Sequence, residues 1–311
     1  MSGHRSPESG YVLVNALVLV AALSAVAVFL LARADAGRNR LDAGLTAAQV
    51  SLNLDAYEAL AKTLLERDTG AVDHSGENWA KPVIDMPLER GRVTGRVVDQ
   101  QGLFNLNWLS NPDYETAHRA FDRLLTQQGV PQRVGQQIQA LLSADGPTDP
   151  AAWHRKTPAE APVSGPMLMA DQLAHVPGVS ERHLSRLQPF VTALPGDSTL
   201  NVNTVSEEVL RAFLPNLSAA AYNQVFRDRT AQPFSSVDAF LAAVGVSIAD
   251  ADNPEGPPPL LLPEHFSVGS QWFRAEISAS INGHFAQRNV VFQRQSFPVG
   301  VTTHWRITTR P

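Results

Sequence analysis

The 311-residue chain contains no cysteine, which excludes thiolate zinc sites, iron–sulfur clusters, disulfides and thiol catalysis. Nor does it carry a basic surplus. Its 25 Lys and Arg stand against 30 Asp and Glu, a formal charge of −5, which argues against a general nucleic-acid binder. Catalytic signatures are missing as well: the nine histidines are scattered without an HExxH motif, and no GxSxG elbow, P-loop or GxGxxG turn occurs. His74 and His118 read as surface or capping residues. No catalytic residue is assigned, and the chain is read as a non-enzyme. What is present, 44% hydrophobic and 18% charged residues with 22 Pro and 20 Gly spread between periodic segments, describes a globular protein longer than one average domain.

One apolar run stands apart. Tyr11 to Ala32, YVLVNALVLVAALSAVAVFLLA, is 22 residues without a formal charge, and only Asn15 and Ser24 in it are clearly polar. As a helix it would span about 33 Å, enough to cross a bilayer core. A secretory signal peptide would have a shorter apolar region followed by a small-x-small cleavage site. Here a polar leader, MSGHRSPESG, ends in Gly10 and the apolar stretch starts at once at Tyr11. Counted by Lys and Arg alone, Arg5 on one side and Arg33, Arg38 and Arg40 on the other favour an outside N-terminus. That rule weakens when a long domain follows, so the N-terminus is assigned to the cytoplasm.

Beyond the apolar run, Val50, Leu54, Tyr57, Ala61 and Leu64 recur at spacings of 4, 3, 4 and 3 and predict one face of an amphipathic helix, with Thr69-Gly70 as its stop. Gly37 and Gly44 are expected to bend or loosen the helix between its two halves. The segment GRVTGRVVD (91–99) reads as a strand. Phe273, Ala275, Ile277, Ala279 and Ile281 alternate without a miss and lead into Asn282-Gly283, a type I′ hairpin signal. His284–Arg294 and His304–Thr309 follow as further strands. Between these lies a mostly helical stretch, about 103–262. Its expected helices cover Tyr114–Thr126, Arg133–Leu142, Asp171–Leu173, Glu181–Ala193, Ser206–Phe213, Ala219–Arg229 and Ser236–Val244, and NPEGPPP (253–259) is a linker that no helix can cross.

Several segments carry a family resemblance. A small residue followed immediately by an uninterrupted apolar helix resembles a type IV prepilin leader. VDHSGENWAKP (72–82), DQQGLFNLNWL (99–109) and TLNVNTVSEEVL (199–210) resemble, in this order along the chain, motifs of the minor pseudopilin GspK family of bacterial type II secretion. The resemblance implies an α+β, pilin-like fold in which a long N-terminal helix packs on a small antiparallel sheet interrupted by a large helical insert. Its expected parts are a leader (1–10), a transmembrane helix (11–32), a first part of the pilin-like core (33–102), the insert (103–262) and a second part of the sheet (263–311). Prepilin peptidase would cut between Gly10 and Tyr11, and Tyr11 would be N-methylated. Asn15, fifth after the cut, stands where most pilins carry a glutamate, and lack of that glutamate is characteristic of the family. The implied role is capping of the pseudopilus tip and initiation of its assembly. The implied partners are other minor pseudopilins, the major pseudopilin, the peptidase and the inner membrane, with the C-terminal domain in the periplasm.

Two readings of the insert compete with a purely protein-binding role. LAHVPGVSERHL (173–184) and the segment 200–244 also resemble helix-hairpin-helix units, the latter as found in membrane-anchored DNA receptors of competence systems. Over 165–245, however, five arginines face seven carboxylates, the wrong sign for phosphate binding, and the second hairpin, Pro215-Asn216-Leu217, lacks glycine. No nucleic-acid partner is therefore expected. The family's helical domain typically carries an acidic calcium loop. Here LLSADGPTDPAAWHRK (141–156) offers only Asp145 and Asp149 as carboxylates, enough for a weak calcium site completed by backbone oxygens or for an ordinary Asp-Gly turn.

Overall fold

The computed structural model describes residues 8–88, 90–147, 151–155, 164–245, 263–296 and 299–310. Helix α1 (Glu8–Arg67) is continuous over 60 residues, about 90 Å at 1.5 Å per residue. It runs unbroken through Gly37 and Gly44, against the expected bend. A lone glycine inside an intact helical ladder costs only about 1 kcal/mol and need not kink it. From Tyr11 to Leu45 every residue is exposed, and the most apolar stretch has a mean hydropathy of 2.7 with none of it buried. A helix apolar on all sides and uncovered by protein is chemically suited to lipid.

The other half of α1 is a packing element. Val50, Leu54, Tyr57, Ala61 and Leu65 are buried, with Leu65 rather than Leu64 closing the stripe. They cover a five-stranded antiparallel sheet of order β1 (Val83–Pro87), β2 (Arg92–Asp99), β7 (Trp272–Ile281), β8 (His284–Ser296) and β9 (Val299–Thr309). The alternating residues of β7 all face this core beside Val93, Val97, Val290 and Phe292. Asn282 and Gly283 take φ of +47° and +83°, the two left-handed positions a type I′ turn demands. Strand β1 was not anticipated: it is short, irregular in register and ends in Pro87, features tolerated only at a sheet edge.

Charge reinforces the apolar seam. Arg288, on β8, is nearly buried and reaches Asp55 at 2.5 Å and Glu58 at 2.9 Å on α1, while Arg306 of β9 reaches Glu58 at 2.6 Å. Removing one partner of such a buried pair leaves an uncompensated charge, which typically costs about 3–5 kcal/mol.

The insert leaves the sheet at Asp99, the end of β2, and returns at Trp272 on the neighbouring β7. It has its own core, built on Phe104, Phe121, Leu124, Phe213 and Phe240 and separate from the sheet's. Helices α2 (Glu115–Gln127), α3 (Gln132–Leu142), α6 (Glu207–Phe213), α7 (Ala219–Ala231) and α8 (Val237–Ala243) lie within a residue or two of the expected segments. A single helical turn, α4 (Ala151–His154), follows α3, and Asp171–Leu173 falls in a 3-10 turn over Ala170–His175. The expected helix Glu181–Ala193 is corrected: α5 (Glu181–Leu187) stops ahead of Pro189, whose ring and missing N–H end a helix. Val191–Thr192 instead forms β4, parallel to β3 (Phe104–Asn105). Phe266–Ser267 forms β6, parallel to β5 (Leu200–Asn201), and Phe266 belongs to the insert's core, so the insert's fold reaches past residue 262. The linker 253–259 lies outside the described residues.

At Gly95, α1 and the sheet approach too closely for a side chain. A Cβ there would come within 2.5–2.8 Å of the Tyr57 ring. Gly95→Ala is expected to lower stability by about 1–3 kcal/mol through overpacking. Gly300→Ala, in open space, should change it by less than about 0.5 kcal/mol. Denaturant melts of the full chain in detergent measure both.

Candidate functional site

Three places concentrate the residues singled out by sequence. The first is the start of α1. Gly10, Tyr11 and Asn15 all lie within its opening turns, with Tyr11 and Asn15 exposed. Between Asn15 and the first buried residue of the stripe, Val50, the helix rises about 50 Å, so this end is remote from the globular part.

The second is the pair of Asn-x-Asn motifs, where the structure shows why both asparagines are needed. Asn105 accepts at Oδ1 from the backbone N–H of Asn107 and of Leu194, and donates from Nδ2 to Pro195 O and Ser198 Oγ. Asn107 takes both backbone groups of one residue: its Oδ1 accepts from Met167 N at 2.7 Å and its Nδ2 donates to Met167 O at 2.8 Å, with a further bond to Leu194 O. The second motif repeats the device. Asn201 Oδ1 accepts from Asn203 N, and Asn203 grips Phe234 through its N–H at 2.8 Å and its C=O at 3.0 Å. The side-chain amide thus stands in for a strand edge, joining segments 60 and 31 residues apart. Each motif opens with a two-residue parallel bridge, and each gripped residue leads a helical turn followed by a left-handed glycine, Gly178 (φ +84°) or Gly245 (φ +71°). The insert is therefore built from two similar halves. Only Phe104–Asn105 is strand, Leu106–Ser110 winds into a 3-10 turn, and Phe104, Leu106 and Trp108 are all buried.

The third is the junction between the two cores. Asp99, nearly buried, accepts from Asn201 Nδ2 at 3.0 Å, Thr204 Oγ1 at 2.5 Å and Ser270 Oγ at 2.6 Å on one oxygen, and from Gln101 N at 2.8 Å on the other. Burial pushes its carboxyl above the usual range, while these four donors pull it back. Beside it, Asp73 accepts from Ser270 N and pairs with Arg294, which also holds Asp68 at 3.0 Å. Burial, opposed by Ser270 and Arg294, pushes Asp73 up to about 7. Asp73 and Asp99 lay inside quoted motifs, but nothing in the sequence marked them as a hub. Arg288 and Arg294 were overlooked. Both share the parity of the core-facing Ala286, Val290 and Phe292 on β8, and that parity was the available signal.

Asp145 sits exposed in a turn closed by Gly146 N to Ser143 O, with Gly146 at φ +74°. Asp149 lies outside the described residues. His74 and His118 do act in local capping, through Gly76 N to His74 Nδ1 and His118 Nε2 to Asn111 O.

Replacing Asn107 or Asn203 by Ala leaves at least one buried N–H and one C=O unpaired, so each variant should lose at least about 2 kcal/mol. Asn→Asp should be nearly as harmful, because a carboxylate cannot donate. The exposed Asn216→Ala should change stability by less than about 0.5 kcal/mol. Thermal melts of these five variants, side by side, check this.

Comparison with known proteins agrees with this architecture. Two family models described as Type II secretion system (T2SS), protein K match residues 102–196 and 200–256. Type II secretion system protein K of Aeromonas hydrophila is 35% identical over 180 residues, covering 50% of this chain and 54% of that protein. The protein of the same name from Pseudomonas aeruginosa is 30% identical over 260 residues, 76% of this chain and 77% of its own length. That from Pectobacterium carotovorum subsp. carotovorum is 24% identical over 92% of this chain and 93% of its own. Among solved structures, a chain of the GspK-GspI-GspJ complex from enterotoxigenic Escherichia coli shares the fold, with a TM-score of 0.69 at 20% identity over 88% of this chain and 100% of that one. The chain belongs to the type II secretion system protein K family and is a minor pseudopilin of that system.

Proposed function

We propose that the chain caps the tip of the pseudopilus and helps start its assembly. The observation that carries this reading is where the insert attaches. It springs from the ends of β2 and β7 beside the C-terminus of α1, where Asp73 meets Ser270 and Arg294 meets Asp68. This is the end of the globular part opposite the apolar half of α1. A folded body at that end would stand above the helix and block the addition of a further subunit there. The solved relative was crystallised with GspI and GspJ, which supports other minor pseudopilins as partners.

On this reading the apolar half of α1 sits in the inner membrane with the globular part in the periplasm, and joins the major pseudopilin through non-covalent helix packing. Prepilin peptidase removes residues 1–10, and Tyr11 becomes the methylated N-terminus. Asn15, lacking a charge, needs no amine from a subunit above. No nucleic-acid partner is proposed, since the carboxylates of the insert outnumber its arginines.

Intact-mass measurement on protein extracted from membranes should give a chain beginning at Tyr11 and carrying one methyl group. A chain beginning at Met1, or one lacking the apolar segment, contradicts the processing. The tip position has its own test in secretion assays. Asn15→Ala should leave secretion nearly intact, and Asn15→Glu should be neutral to harmful, because a carboxylate would enter lipid without a partner. Inside the fibre Asn15 would contribute a membrane hydrogen bond worth about 0.6–2 kcal/mol. A secretion defect in Asn15→Ala that Asn15→Glu repairs would overturn the tip assignment.

A further inference from the structure

We infer that Asp68, Asp73 and Glu77, at the C-terminal end of α1, form a binding site for a hard divalent cation of the Ca²⁺ type, distinct from the Asp145 loop. One oxygen from each carboxylate lies within 4.8 Å of the other two. Oxygens sharing one Ca²⁺ at 2.3–2.6 Å are at most about 5 Å apart, so the three fit a single ion.

The hydrogen bonds divide each carboxylate in the same way. Asp68 gives one oxygen to Arg294, and among the described residues its Oδ1 has only a long 3.4 Å contact from Gly70 N. Glu77 gives Oε2 to His74 N at 2.9 Å and Trp79 Nε1 at 2.7 Å, and Oε1 takes no hydrogen bond from the described residues. Asp73 gives Oδ2 to Ser270 N and Arg294, and Oδ1 has no hydrogen-bond partner among the described residues although its side chain is 0% exposed. A fully buried carboxylate oxygen with no donor costs several kcal/mol in general, and a cation is one way to satisfy it. The oxygens left over by Asp68 and Glu77 also converge. A side chain at Gly70 would begin 3.5 Å from Asp68 Oδ1, 3.6 Å from Val72 O and 4.0 Å from Glu77 Oε1.

Charge points the same way. Three carboxylates meet one guanidinium, that of Arg294, with Asp99 close behind. The C-terminus of α1 adds the partial negative charge of its last carbonyls, where a carboxylate such as Asp68 is unfavourable without a cation. Access is provided by a cleft of about 680 Å³ lined by Asp68, Gly70, Asp73, Gly269 and Arg294. All donors are oxygen, which selects a hard ion, and Ca²⁺ accepts a wider range of coordination geometries than the strict octahedron of Mg²⁺. The ion would tie the end of α1, the 72–82 segment and β8 together beside the insert.

The test uses the full-length chain in detergent, stripped with EDTA, titrated with Tb³⁺ under tryptophan excitation and then with Ca²⁺ as competitor. Trp79 bonds Glu77 directly and sensitises an ion held there. Sensitised emission that Ca²⁺ displaces is expected, unchanged in Asp145→Asn and weakened at least about tenfold in affinity in Asp68→Asn and Glu77→Gln, which keep their acceptors for Arg294 and Trp79. A second readout needs no change to the site: in the Asp145→Asn chain, Ca²⁺ should raise Tm and EDTA should reverse the rise. Absence of that rise, wild-type affinity in both the Asp68 and Glu77 variants, or loss of Tb³⁺ binding in Asp145→Asn alone would overturn the site.

Discussion

The carboxylate of Asp99 holds this molecule's two cores in register. It ends β2, the strand from which the insert departs, and accepts from Ser270, two residues ahead of the strand to which the insert returns. Asn201 and Thr204 of the insert's second motif donate to the same oxygen. An isolated buried carboxylate would be strongly unfavourable, and four donors in fixed positions make it tolerable. Because those donors come from both exits and from the insert itself, the insert is tied to the sheet by hydrogen bonds as well as by its two linkers.

Helix α1 divides along its length into two chemistries. Its first half is apolar all round and exposed, so what surrounds it can exchange between lipid and other helices without altering the fold. Its second half is committed to the sheet by the Val50–Leu65 stripe and by Arg288 between Asp55 and Glu58. The contacts α1 makes with its surroundings and those it makes with its own sheet therefore use different residues.

The insert shows economy of another kind. Its two Asn-x-Asn motifs make the same bonds in each half, and the two family models that match the chain meet between residues 196 and 200, where the second half begins. A side-chain amide that pairs both groups of a distant peptide fixes a loop without a full strand. A body of short helices and two-residue bridges can therefore keep a single arrangement.

Period and turn chemistry were legible in the sequence. The 22-residue uncharged run, the stripe on α1, the alternation in β7 and the Asn282-Gly283 turn each follow from local rules, because helix period, strand period and left-handed turns depend on near neighbours. The motifs Phe-Asn-Leu-Asn and Leu-Asn-Val-Asn marked the family and the helical insert. Partners at long range were not legible. That Asn107 would grip Met167, that Asp99 would meet Ser270 171 residues away, and that Arg294 would face Asp68 and Asp73 depended on which segments came together. Sequence alone determined which stretches span, coil and alternate, since those are properties of a chain's own spacing. Only the tertiary structure decided which buried polar groups find partners, because a hydrogen bond or ion pair requires two groups within about 3 Å, and the chain between them carries no record of that distance.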